Sequence, residues 1–281
     1  MIVSIALKKA LRLMVGKNYD YFVKNIERLM HRLFLDPSFG IWIPLDNQEG
    51  LVRVIGLSLV VPEDNSFIVR EVYRDKVYAL PRLGDIVVDV GAHYGIYTIL
   101  SATIVGSRGL VLAFEPYPHS YRTLLLNAAL NRLSNVKAFN VALGDFDGTA
   151  KLSIASSPAY HSTMFDVGEQ ALNVYIRRLD SVIEELALDR IDLIKIDAEG
   201  AELKILKGSQ NVIERFKPKL TVATYHYPNE ADEITKWLRS FSYTVFPTKT
   251  HLHAETLDCD THMRDRSMGN YEERISIWQD A

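Results

Sequence analysis

Acidic side chains close apolar runs at four places in this chain. Asp89 sits in IVVDVG and leads into Gly91-Ala92-His93-Tyr94-Gly95. Glu115 ends LVLAFEP, Asp145 follows VKAFNVAL, and Asp197 ends IDLIKID with Glu199 two residues on. Gly91 lets the chain turn tightly, and Gly95 would let the following helix approach a ligand. The G-x-x-x-G spacing lacks the three glycines of a dinucleotide fingerprint, which speaks against a pyrophosphate in this turn. Asp89 would repel phosphate and attract an ammonium group. Glu115 can accept both hydroxyls of a ribose. Asp145 could accept a hydrogen bond from an adenine amino group, or be a plain turn aspartate. Three acids at three successive strand ends suit a cationic nucleoside, S-adenosylmethionine.

A second group of residues reads as the acceptor half. Asp197 is placed for a methyl donor or a substrate hydroxyl, and Glu199 for substrate; the competing reading is a helix N-terminus decorated with acids. Lys195, inside the same apolar run, needs a buried partner that one of these acids could supply. His226, in TYHYP, is placed to take a proton from a hydroxyl, or to be a structural histidine. His93 reads as a backbone-supporting or cofactor-edge residue, and Tyr160, His161 and Ser162 as a loop bordering substrate. His251, His253, Asp258, Cys259, Asp260 and His262 cluster near the C-terminus, but their spacing matches no zinc pattern, so no metal is expected.

These residues need elements to hold them. Short apolar runs at 86–91, 110–116, 136–143, 191–197 and 220–226 alternate with helical patterns at 95–106, 117–133, the AELKILKG segment and 230–241. YTVFP and finally ISIW (275–278) read as further strands, with an irregular region after residue 143. Continuous apolar strands alternating with helices predict a doubly wound, mostly parallel α/β sheet covered on both faces. IWIPL, LVRVIGLSLVVP and SFIVREVY read as short strands ahead of it.

Composition narrows the class. The 281 residues are 48% hydrophobic and 24% charged, which excludes a disordered or low-complexity chain. One cysteine excludes an intrachain disulfide framework and fits a reducing, cytoplasmic setting. The net charge of -3 disfavours a broad nucleic-acid surface. Residues 1–35 differ, with seven Lys or Arg against Asp20 and Glu27 and an apolar stripe at Phe22, Ile26, Leu29, Met30 and Leu33. They read as a helical cap, or as a basic amphipathic segment resting on an anionic membrane. Their charge follows the apolar start, the wrong order for a secretory signal.

The runs VVDVGAHYGIYT, FEPYPHSYRTLLLNAALN, VALGDFDG, RLDSVIEEL and DLIKIDAEGAELKILKG together resemble the FkbM family of S-adenosylmethionine-dependent methyltransferases. The resemblance implies a Rossmann-like seven-stranded class I methyltransferase fold over residues 67–281, with residues 1–66 as a helical and short-strand extension. It implies O-methylation of a sugar, glycan or other natural product. It carries Asp89, Gly91, Gly95 and Glu115 over as cofactor residues, with Ala92 and His93 in the same turn and Asp145 beyond. The alternatives are RNA methylation, disfavoured because no Asp-Pro-Pro-Tyr-like loop follows the fourth strand; a nicotinamide oxidoreductase; and a nucleoside-binding module without turnover.

Overall fold

A computed structural model describes residues 41–44, 49–54, 56–62, 66–154 and 170–256. The basic segment 1–35, the loop with Tyr160, His161 and Ser162, the residues Asp258, Cys259, Asp260 and His262, and ISIW lie outside the described residues. Two compact units divide between Glu63 and Asp64. In the first, β1 (Ile41–Pro44), β2 (Glu49–Val54) and β3 (Leu57–Pro62) form an antiparallel sheet in sequence order.

The second unit begins with α1 (Ser66–Tyr73). The sequence pattern predicted a strand here. Val69, Val72 and Tyr73 are buried at helical spacing, so packing of one face overrides the β-branched composition. Next come β4 (Ile86–Val90), α2 (Ile96–Val105), β5 (Leu110–Phe114), α3 (Pro118–Leu130), β6 (Val136–Phe139) and β7 (Ala142–Leu143). The run 136–143 is therefore two strands, and Asn140 at the break donates to the carbonyls of Glu115 and Pro116. Residues expected to be irregular contain β8 (Gly148–Ile154) and β9 (Gln170–Arg177), which join β7 in a small separate sheet. The chain continues through α4 (Leu179–Glu185), β10 (Leu193–Ile196), α5 (Glu202–Lys207), α6 (Gln210–Phe216), β11 (Lys219–Ala223), α7 (Glu230–Ser240), β12 (Thr244–Pro247) and β13 (His251–Glu255).

The main sheet has seven strands in the order β12-β13-β11-β10-β4-β5-β6. Its strands run parallel except β13, which lies antiparallel to both of its neighbours. This is the doubly wound, mostly parallel α/β sheet expected from the sequence, with seven strands. The reversed strand is 251–255, which was not among the strands expected from the sequence. Val88, Val90, Leu112, Phe114, Ile194 and Ile196 alternate toward one face and pack with α4 to α7 in the largest core. The opposite face carries Asp89 and Ala113, against α2 and α3.

The turn after β4 is tight for a stated reason. Gly91 has φ +70, and a Cβ there would lie 1.8 Å from the Asp197 carbonyl oxygen. Two strand ends thus approach too closely for any side chain. Gly91→Ala must push the two loops apart and should cost at least about 2 kcal/mol of stability. Urea denaturation of the full chain measures this, and an unchanged midpoint and slope would contradict it.

Candidate active site

The carboxyl ends of the parallel strands meet at a cavity of about 380 Å³. Gly91, Ala92 and His93 enter it from the end of β4, and Glu115 from β5. Ala142 and Leu143 come from β7, Asp197 and Glu199 follow β10, and Tyr225 follows β11. Phe67, Ile68, Glu71 and Val72 of α1 form another wall, and His251 of β13 completes it. Of the residues expected from sequence, the fold gathers Gly91, Ala92, His93, Glu115, Asp197 and Glu199 around this one space.

Glu115 is buried, and the backbone N–H groups of His93 and Tyr117 each donate to one of its oxygens at 2.8 Å. Burial outweighs these donors and pushes the carboxyl up to about 7. Each oxygen keeps a lone pair for a further donor. His93 adopts φ +53, and its ring lies 3.8 Å from that of Tyr94.

Three expected cofactor residues are placed elsewhere. Asp89 is fully buried and does not line the cavity. Its carboxylate accepts from Thr98 at 2.6 Å and pairs with Lys195 at 3.1 Å, so it holds two strands together rather than an ammonium group of a ligand. Lys195 also donates to the carbonyls of Val90 and Gly91, and its partner is therefore Asp89, not Asp197 or Glu199. Gly95 faces α3: a Cβ there would meet Leu124 at 2.8 Å, so the glycine permits close helix packing and lies outside the cavity lining. Asp145 is exposed in the turn after β7 and outside the lining, as a turn aspartate.

The other end of the cavity is built from carboxylates. Tyr78, buried and not anticipated from sequence, donates to Asp197 at 2.5 Å, while Tyr225 reaches the other oxygen at 3.4 Å. Burial would raise the Asp197 pKa, but His226, Lys195 and Tyr78 together hold it well below the usual carboxylate range. Glu199 takes φ +52, a conformation side chains rarely adopt, which turns it into the cavity. Burial and the nearby Asp197 charge push it up to about 7. Glu71 is also raised, by burial and then by Asp197.

His226, expected as a base, is placed behind the cavity wall. Its ring is absent from the cavity lining and its side chain is 4% exposed. Asp197 and Glu199 flank Nε2 at 3.5 and 3.7 Å; Glu202 and Glu230 flank Nδ1 at 3.4 and 3.5 Å. Burial alone would lower its pKa, but these carboxylates raise it to about 11, so the ring is already protonated near neutrality. Glu202 and Glu230 were not anticipated; both are acids at helix starts, where the dipole alone explains them. His251 and His253 are held neutral, with burial lowering each to about 4. Among the described residues, Asp197, Glu202 and His226 bring one potential ligand atom each within 4.8 Å of the others, with Asp197 and Glu202 on opposite nitrogens of the ring.

Comparison with known proteins gives consistent findings. The family model of the methyltransferase FkbM domain matches residues 89–245. Methyltransferase sdnD of Sordaria araneosa is 31% identical, over 50% of this chain and 68% of sdnD. The 31-O-demethyl-FK506 methyltransferase FkbM of Streptomyces tacrolimicus is 26% identical, over 68% of this chain and 86% of that one. Hexuronic acid methyltransferase AglP of Haloferax volcanii is 25% identical, over 59% and 66%.

The Asp89–Lys195 pair makes a measurable prediction. Lys195→Met strands a buried carboxylate and should cost about 3–5 kcal/mol, of which adding Asp89→Asn recovers part. Chemical denaturation followed by circular dichroism checks both steps. A single variant as stable as the parent would rule out the pair as the link between β4 and β10.

Proposed function

Because this chain belongs to the methyltransferase FkbM domain family, we propose that its cavity holds S-adenosylmethionine with the ribose on Glu115 and presents a hydroxyl of a small molecule or sugar beside Glu199. The chain is an S-adenosylmethionine-dependent methyltransferase. Glu115 carries the proposed placement: a buried carboxylate at the end of the second parallel strand, both oxygens oriented by one backbone N–H and both able to accept again. That donor set fits a vicinal diol. Phe114, Ala142 and Leu143 supply an apolar lining suited to a flat base.

Bound there, S-adenosylmethionine supplies a methyl group made electrophilic by its sulfonium. The protein's own residues have the tasks of orienting, excluding water and handling one proton. Glu199 is the proposed proton acceptor. It lines the cavity, its side chain is 24% exposed, and its strained backbone points it inward. Asp197, held by Tyr78 and Tyr225, orients the acceptor. Two relatives are named for 31-O-demethyl-FK506 and for hexuronic acid, which supports an acceptor of the small-molecule or sugar kind. The carboxylates at this end disfavour a polyanion such as RNA.

Calorimetry with S-adenosylhomocysteine tests the cofactor half. Glu115→Ala should lose about 1–3 kcal/mol of binding; unchanged affinity would contradict the assignment. A pH series adds a sign. Hydroxyls donating to Glu115 stabilise its anion, so binding lowers a pKa of about 7 and releases a proton. Affinity should therefore rise with pH up to about 7 and level off above it, and this limb should vanish in Glu115→Gln.

Mass spectrometry of extracts incubated with donor carrying a deuterated methyl group identifies the acceptor. With that acceptor, Glu199→Gln should lower kcat by about 10²–10⁴ while leaving S-adenosylhomocysteine affinity in place. Retained kcat would remove Glu199 as the proton acceptor.

A further inference from the structure

We propose that His251 is a substrate-binding residue whose Nε2 hydrogen-bonds a second hydroxyl of the methyl acceptor, so that the acceptor carries one hydroxyl for methylation and another for recognition. The proposal rests on the reading of this cavity as a methyltransferase site with its acceptor end at Asp197 and Glu199.

The reversed strand puts His251 in place. Because β13 runs against its neighbours, its first residue lies at the edge of the sheet where the parallel strands end. His251 is accordingly paired with Ala223, the last residue of β11. In the sheet order β13 stands four positions from β5, about 19 Å at 4.7–4.9 Å per step. His251 is thus remote from the strand that carries Glu115 and near those that deliver Asp197 and Tyr225. The residue lines the cavity, and its ring meets those of Tyr78 and Tyr225 edge-on, with centroids 4.9 and 5.9 Å away.

The residue is 5% exposed, and its backbone is fixed by Thr248, whose Oγ1 accepts from the His251 N–H and donates to its carbonyl, each at 3.0 Å. Nδ1 is bonded to the Thr250 hydroxyl at 2.8 Å. Nε2 is buried and has no hydrogen-bond partner. The hydroxyls of Tyr78 and Tyr225 are directed at Asp197 and do not serve it. A buried polar atom without a partner is costly, and at a cavity wall the missing partner is one that a bound molecule supplies.

The chemistry of the ring selects that partner. Burial lowers its pKa to about 4, so the imidazole is neutral near pH 7. It offers one N–H and one lone pair, and the Thr250 hydroxyl can pair with either. A ligand hydroxyl likewise matches Nε2 in both tautomers. A carboxylate on the ligand is disfavoured here, since Asp197 and Glu199 stand at the same end. Lys195, the lysine in the lining, is already taken by Asp89 and two carbonyls.

The test incubates a small-molecule extract with donor carrying a deuterated methyl group and follows the labelled species by mass spectrometry over a dilution series of that extract. His251→Phe keeps an aromatic ring and removes both nitrogens. It should raise the half-saturating amount of extract about five- to a hundredfold, with calorimetric affinity for S-adenosylhomocysteine unchanged. His251→Gln, whose amide both donates and accepts, should restore part of the loss. Acetylation of the labelled product should count at least one remaining free hydroxyl. The proposal is overturned if His251→Phe, shown to be folded by circular dichroism, saturates at the parent's amount or loses S-adenosylhomocysteine affinity to the same extent. It is equally overturned if Gln does no better than Phe, or if the product holds no free hydroxyl. Should both variants fail to fold, the ¹⁵N resonance of His251 Nε2 in the wild type decides: it should shift when the purified extract species is added with S-adenosylhomocysteine, and a fixed resonance overturns the proposal. A wild type that labels nothing in the extract removes the methyl-transfer reading itself, and this proposal with it.

Discussion

The architecture of the site depends on one buried ion pair. Asp89 on β4 and Lys195 on β10 face each other in register across two central parallel strands. The same ammonium reaches the carbonyls of Val90 and Gly91, where β4 gives way to the first loop of the cavity. One cation therefore fixes the end of β4 against the strand that delivers Asp197 and Glu199. Gly91 completes the junction, because only a residue without Cβ lets the two loops come this close. The charge is costly to bury and is justified only by being fully partnered, by one carboxylate and two carbonyls.

From that junction the cavity divides by chemistry. Around Glu115 the polar groups are few and oriented by backbone donors, and the rest is apolar. Around Asp197 the polar groups crowd: two tyrosine hydroxyls, Glu199 and, behind them, an imidazole among acids. The Glu199 carboxyl is raised first by burial and then by the Asp197 charge, whereas at Asp197 the pairing with His226, Lys195 and Tyr78 outweighs burial. Asp197 is near Lys195 and accepts from Tyr78, while Glu199 carries the cost of burial beside its neighbour's charge. Two carboxylates two residues apart are thereby given different protonation tendencies by their surroundings.

Much of this was legible in the chain. The apolar runs ending in acids located β4, β5 and β10, and Glu115, Asp197 and Glu199 proved to stand where strand ends converge. The errors have a pattern. Asp89 and Glu115 look alike as strand-terminal acids, but Asp89 is the penultimate residue of β4 and points into the sheet face beneath α2, whereas Glu115 lies one residue past β5 and points into the opening. Asp89 pairs with Ala113, so Glu115 lies two residues further along, past the end of the sheet, and that position opens it to the cavity. Tyr78, Glu202 and Glu230 carried no local signal, since a tyrosine in a loop and an acid at a helix start need no special explanation. The helix at Ser66–Tyr73 was hidden by β-branched residues whose burial is decided by tertiary packing.

The sequence by itself determined the alternation of apolar strands and helices, the glycine turn after the first strand of the sheet, and the presence of acids at strand ends, because each is written in short-range periodicity and residue type. Only the tertiary structure decided which acids face the cavity and which are consumed in the sheet, which strand runs backward, and that His226 lies among four carboxylates drawn from two stretches of chain. Those outcomes depend on electrostatics between residues up to about a hundred positions apart, Asp89 and Lys195 among them, and interactions of that range leave no trace in local composition.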